Sequence, residues 1–381
     1  MSNDFYERDY LYINQHNGTF KEALEEQMGH TSLSSMGSDI ADINNDGLAD
    51  LFVTEMFPES DERVKQTMMY ESYDFFEFKE KQGYYYQYMR NMFQLNNGDG
   101  TFSEVAQQLG IHATDWSWGG LIFDMDNDGL KDLFVANGIM KDLTDQDYIA
   151  FLGDEHTMQQ MLNGKKFDYK EFVDKMTSTP VPNYAFKNMG NLQFKKVSTE
   201  FGIEGPGFSN GSAYSDLDND GDMDLVVNNN DAPLSIYRNK TNDASKHPDF
   251  LKIKLDGYAQ NRFGVGAKVC LFQGNTQQVL QLFPNRGFQS SVDLSLVFGL
   301  GNNHAIDSLV VVWNDDAQQT LRQVQANQTL LLKHTNAQER FVPAKVSYKP
   351  LFTNQTTATH FDYVHQENPF VDFNRDRKSV V

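Results

Sequence analysis

Asp42, Asn44, Asp46 and Asp50 follow one another at a spacing that suits a hard cation, and the arrangement returns twice more. The second copy holds Asp124, Asp126, Asp128 and Asp132; the third holds Asp216, Asp218, Asp220 and Asp224. Each nonapeptide reads D-x-[DN]-x-D-G-x-x-D and leads straight into an apolar run, Leu51-Phe-Val53, Leu133-Phe-Val135 or Leu225-Val-Val227. Side chains at positions 1, 3 and 5 offer carboxylate or amide oxygens, and glycine at position 6 permits a sharp turn. The main-chain carbonyl at position 7 (Leu48, Leu130 and Asp222) adds an oxygen, and the carboxylate at position 9 closes the shell. Calcium accepts roughly six to eight oxygens in irregular geometry, whereas magnesium demands a tight octahedron and keeps its waters. The pattern predicts up to three Ca²⁺ ions, the weakest at the first loop, where Asn44 replaces an aspartate.

The EF-hand shares this opening but needs a Glu at position 12 and a helix on each side. Position 12 here is Val53, Val135 and Val227, inside strand-like segments, so that reading fails. Metal-free Asp-Gly turns are the plainer alternative, since Asp, Asn and Gly favour turns in any case. The shared register argues against it. Phe20, Phe102 and Phe194 each lie 22 positions before the first aspartate, and Asn14, Asn96 and Asn188 lie six before those. A Ser-x-Gly precedes each loop, at Ser35 and Gly37, Ser117 and Gly119, Ser209 and Gly211. The unit is about forty residues, strand–turn–strand–loop–strand, and a fixed period of this kind signals a solenoid or propeller.

The elements that position these loops follow from the rest of the chain. Residues 1–245 are read as the repeat region, with insertions at 54–92 and 138–182. The first insertion carries helical spacing at Glu77–Lys81 and an aromatic run, Tyr84–Tyr88, which is read as an anchor for the insertion. The second has helical spacing over Thr144–Leu152 and Phe167–Met176, ended by Pro180 and Pro182. Ser235–Arg238 reads as a further strand. Residues 246–340 show short strands with turn signals every ten or so residues, the mark of a sandwich-type β domain. Residues 341–381 begin something else, a further repeat region that stops without a cap.

Composition narrows the function classes. The 381 residues allow two or three domains and sizeable cores, and a 39% hydrophobic content is globular. With 53 acidic against 32 basic residues the formal charge is −21, which disfavours nucleic acid and anionic membranes. Each bound divalent cation would offset two of those charges. Cys270 is the single cysteine, so no disulfide can form within the chain; it reads as a buried hydrophobe. No stretch reaches the roughly 18 apolar residues of a spanning helix, and no signal-peptide core opens the chain.

The repeats resemble VCBS/FG-GAP repeats, the blade units of integrin-type β-propellers. The stretch from Asn261-Arg-Phe-Gly-Val-Gly-Ala267 through Phe298-Gly-Leu-Gly301 to Trp313 resembles the ASPIC/UnbV domain of the cartilage acidic protein family. Asn314-Asp-Asp-Ala317 departs from that family's usual Pro-Ser/Asp-Gly turn. The resemblance implies an all-β chain, a partial propeller with helical insertions followed by a sandwich-like domain. It further implies a longer, secreted or bacterial surface-held protein of which this chain is a part, with adhesion-type binding of a protein or glycan.

Catalytic motifs are weak. Gly207-Phe-Ser-Asn-Gly211 matches the nucleophile elbow, but that motif needs a strand before and a helix after, and Ser209 belongs to the repeat itself. Gly264-Val-Gly266 and Gly299-Leu-Gly301 lack the third glycine of a dinucleotide fingerprint, and the nine histidines form no H-E-x-x-H. The expected function is therefore a non-enzymatic calcium-stabilised scaffold. The alternative is a polysaccharide hydrolase or lyase using insertion residues such as Asp145, Asp147, Glu155 or the Tyr84–Tyr88 cluster. A third reading is an assembly module whose partner is another copy or another segment of the same protein.

Overall fold

The apolar run after each acidic loop should give a buried strand, and a computed structural model of the chain has one there. It describes residues 1–4, 7–68, 71–162, 169–203, 205–342, 351–359 and 363–366. Three blade-like sheets follow in order. The first runs Ser38–Ala41, Asp50–Val53, Met92–Asn96, Phe102–Glu104, all antiparallel. The second runs Asp115–Phe123, Asp132–Asn137, Tyr184–Asn188, Phe194–Lys196, with Met56–Phe57 paired at the end of its inner strand. The third has Ser209–Ser215, Asp224–Asn229 and Ser235–Tyr237. The fold is mostly β, as the sequence predicts.

Repeat and blade are out of phase. Each acidic loop joins the first two strands of one blade; in the first two blades the hairpin at the start of the next sequence unit supplies the outer two, and in the third Ser235–Tyr237 stands alone. Asn96 pairs with Phe102 and Asn188 with Phe194 in these outer hairpins. The matching hairpin of the first unit, Tyr12–Asn14 with Phe20–Glu22, forms a separate two-stranded sheet.

Blades stack through apolar faces. Ile43, Phe52, Phe93, Ile122, Leu133, Val135 and Phe186 fill the space between the first and second blades. Leu121, Phe123, Phe134, Ala185, Leu225 and Val227 fill that between the second and third. Each fully buried side chain of this size contributes about 1.5–3 kcal/mol relative to exposure.

The insertions are helical where described, with Asp61–Thr67 and Tyr73–Lys81 in the first and Gln146–Leu152, Glu155–Leu162 and Tyr169–Lys175 in the second. Ser60 and Ser72 cap the first two helices, accepting from Arg63 N and Phe75 N. Arg63 ties the insertions together, donating to Asp115 at 3.0 Å and to Asp142 at 2.7 Å. Tyr85 Oη donates to Met28 O at 2.7 Å, which fastens the aromatic run to the blade region.

From Asp249 two sheets form a sandwich. Asp249–Asp256 lies between Ser295–Gly301, antiparallel, and Gln328–Lys333, parallel. The other sheet orders Thr276–Gln281, Lys268–Gln273, Ala305–Val312, Ala317–Gln325 and Glu339–Arg340. Leu251, Ile253, Val269, Phe298, Val311 and Trp313 form its core. The turn after Trp313 closes with Asp316 at φ +66, so an aspartate takes the left-handed position that a glycine would suit. Of the expected repeat region at 341–381, residues 343–350, 360–362 and 367–381 lie outside the described residues. No described helix is long and apolar enough to cross a membrane.

Candidate metal centres

The three acidic loops share the same framing hydrogen bonds. The position-1 carboxylate accepts from the position-6 glycine: Gly47 N to Asp42 at 2.9 Å, Gly129 N to Asp124 at 2.8 Å, Gly221 N to Asp216 at 3.2 Å. The position-5 carboxylate accepts from the position-7 N–H, with Asp46, Asp128 and Asp220 at 2.8, 2.9 and 3.1 Å. The turn requires left-handed backbone at positions 4 and 6. Asn45, Asn127 and Asn219 have φ of 59°, 57° and 62°, and the three glycines lie at 89°, 90° and 93°.

Position 9 locks each loop to its blade. Asp50, Asp132 and Asp224 accept on one oxygen from Ile43, Met125 and Leu217 N, and on the other from Asn96, Asn188 and Asn239 N. Each oxygen keeps a second lone pair for a ligand. The asparagines do more than mark a register. Asn188 Nδ2 donates across the blade boundary to Ile43 O at 2.9 Å, and Asn239 Nδ2 to Met125 O at 2.7 Å. Asn239 fits no spacing visible in the sequence, because no hairpin follows it.

Two loops gather their carboxylates. Oxygens of Asp124, Asp126 and Asp128 lie within 4.8 Å of one another, as do those of Asp216, Asp218 and Asp220. In the first loop the Asn44 amide instead donates to Asp46 at 2.9 Å. Like charges packed this tightly oppose ionisation. Burial, with repulsion from Asp128 and Asp126, pushes Asp124 up to about 7; burial likewise pushes Asp50 to about 6.

A divalent ion fits this donor set. Asp124 Oδ1, Asp126 Oδ1 and Asp216 Oδ1 are buried with no hydrogen-bond donor among the described residues. Orphaned anionic oxygens are costly unless something positive meets them. All donors are oxygens, the preference of calcium rather than of a soft metal.

The face carrying these loops is covered by the sandwich, which the sequence does not foretell. A Cβ on Gly47 would meet Gln277 at 2.8 Å, on Gly129 Gln278 at 3.0 Å, and on Gly221 the Phe250 ring at 2.2 Å. Lys252 Nζ reaches Asp216 Oδ2 at 2.7 Å, with both side chains buried. Gly301 N donates to Asn127 O at 2.8 Å.

A hairpin of the sandwich, Asn285–Arg286 with Ser290–Ser291, runs along the inner strands of all three blades. The three Ser-x-Gly glycines lie against it: a Cβ at Gly37, Gly119 or Gly211 would lie 3.1 Å from Gly287, 3.3 Å from Phe288 or 3.0 Å from Ser290, and at Gly37 the Trp118 carbonyl of the next blade is closer still, at 2.4 Å. Arg286 donates to Asp39 at 3.1 Å and to the Ile122 and Ile40 carbonyls. Trp118 packs on Phe288 with the rings tilted by 46° and their centres 5.0 Å apart.

Of the residues of the enzymatic alternative, Asp147 and Glu155 are exposed on the second insertion. Asp145 is the buried N-cap of its helix, accepting from Tyr148 N, Gln66 and Thr177, each at 3.0 Å. Ser209 Oγ donates to Asn229 Oδ1 at 2.8 Å and accepts from Asn183 at 3.0 Å, a structural tie with no base beside it among the described residues.

Comparison with known proteins agrees with this architecture. The model for the FG-GAP-like repeat matches residues 1–53 and 84–135, and that for ASPIC and UnbV matches residues 257–339. Cartilage acidic protein 1 of Mus musculus is 23% identical over 261 residues, covering 58% of this chain and 37% of the mouse protein. Cartilage acidic protein 1 of Homo sapiens is likewise 23% identical, with 36% of its length covered. The chain thus spans little more than a third of these relatives.

Proposed function

We propose that this chain, which joins FG-GAP-like repeats to an ASPIC and UnbV domain, is a calcium-stabilised, non-enzymatic scaffold that binds a protein or glycan outside the cell. The orphaned carboxylate oxygens in the second and third loops carry the reading. Asp124, Asp126, Asp128 and Asp132 would hold one ion with the Leu130 carbonyl, and Asp216, Asp218, Asp220 and Asp224 a second with that of Asp222. Asp42, Asn44, Asp46 and Asp50, with the Leu48 carbonyl, would hold the third. The ion supplies positive charge at the point where two blades and the sandwich meet.

The chain's own residues do the rest. Asn188 and Asn239 fix the position-9 aspartates and bridge to the neighbouring blade, so an ordered loop is an ordered blade boundary. The sandwich lies over the loop face, which leaves the outer hairpins and helical insertions to meet a partner. The relatives' name, cartilage acidic protein, supports a place outside the cell.

A thermal melt tests this. Extracellular modules bind calcium at about 10⁻⁴–10⁻³ M, so about 10 mM calcium should add about 1.4–2.7 kcal/mol per site. The melting midpoint should rise with calcium and fall with chelator; an unchanged midpoint removes the calcium claim.

A further inference from the structure

In the second and third blades the residue just before the anchoring asparagine lies beside loop positions 3 and 5. It is Lys187 in the second blade, beside Asp126 and 3.0 Å from Asp128 Oδ2. In the third it is Arg238, 2.9 Å from Asp218 Oδ2 and 4.0 Å from Asp220 Oδ2. The corresponding residue of the first blade is Leu95, which packs against the core between the first two blades, and there position 3 is Asn44. The common placement has a common cause. Asn96, Asn188 and Asn239 each donate their main-chain N–H to the position-9 aspartate at 2.8–2.9 Å, which holds the preceding residue at the same point of each strand.

Charge follows the same rule in all three. Where positions 3 and 5 are both aspartate, the residue before the asparagine is a cation; where only Asp46 is charged, it is leucine. Every blade is left with one unit of negative charge across these three positions.

We propose that Lys187 and Arg238 are tethered counter-ions that compete with calcium for the position-3 and position-5 oxygens. They set the affinity of the second and third sites and hold those loops together when calcium is absent. The inference rests on the reading of the loops as calcium sites. It goes further in assigning two basic residues, outside the acidic motif, to the control of binding.

The experiment titrates calcium into decalcified protein by calorimetry and melts the same samples in chelator. Lys187→Met should raise calcium affinity at one site about tenfold, the effect of one unit charge screened by a near-aqueous dielectric. The same variant should melt lower than wild type in chelator, because Asp126 and Asp128 then face each other without a cation. Leu95→Lys provides the converse on the first loop, where no basic residue precedes the anchoring asparagine, and should weaken the first site. Unchanged titrations for both variants, with wild type binding calcium normally, would overturn the proposal alone. A wild-type protein that binds no calcium would remove the underlying reading and the proposal with it.

Discussion

Replacing Arg286 with methionine should unseat the hairpin that runs along the inner strands. The guanidinium is 9% exposed and meets Asp39 Oδ2 at 3.1 Å, Ile122 O at 3.3 Å and Ile40 O at 3.2 Å. Removing one member of a buried ion pair costs about 3–5 kcal/mol, because the other charge stays buried. Asp39 would keep the N–H groups of Ile122 at 2.7 Å and Ile40 at 2.9 Å, which places the expected loss near the lower end, about 3 kcal/mol. Urea unfolding followed by tryptophan fluorescence reads it, since Trp118 packs on Phe288. Circular dichroism should be followed in parallel, because two cores need not unfold together. In a double-mutant cycle, Asp39→Asn with Arg286→Met should cost less than the two single changes summed. A loss below about 1 kcal/mol, or strictly additive costs, would refute the idea that this pair locks the sandwich to the blades.

Other expectations follow from the same geometry. Gly221→Ala should destabilise by more than the roughly 1–2 kcal/mol of left-handed strain, since its Cβ would fall 2.2 Å from Phe250; equilibrium unfolding checks this. Asn188→Ala should cost about 1–3 kcal/mol and raise hydrogen exchange at the first blade boundary, because the Ile43 and Lys131 carbonyls lose a donor. Burial holds Glu55 at about 7 and Asp9 at about 6, alongside Asp124 and Asp50. Folded values above the unfolded ones stabilise at low pH, and that stability is lost as pH rises through them. Decalcified protein should therefore melt lower at pH 8 than at pH 5. Calcium should flatten the slope by taking up the loop carboxylates, leaving Glu55 and Asp9.

The loops were legible because their chemistry is local. Nine consecutive residues fix the turn, and the position-1 carboxylate meets the position-6 N–H within those nine. Blade phase was not legible: Asn188 and Phe194 open a unit in sequence yet close the preceding blade, and only the pairing with Tyr184–Asn188 reveals it. The Ser-x-Gly repeats carried a signal whose meaning lay elsewhere, since Gly119 and Gly211 face a hairpin far along the chain and Gly37 faces both that hairpin and the Trp118 carbonyl of the next blade. Arg286 had no such signal. Nothing near it in sequence is acidic, and its partner Asp39 lies 247 residues away. The sandwich's cover over the acidic face escaped for the same reason, being built from single contacts such as Lys252 with Asp216.

Calorimetric counting of calcium on decalcified chain, with Asp42→Asn, Asp124→Asn and Asp216→Asn beside wild type, bears most directly on whether these loops are metal sites. The account predicts three ions for wild type and one fewer for each variant. Absence of saturable binding, or a stoichiometry that the three substitutions leave untouched, would contradict it.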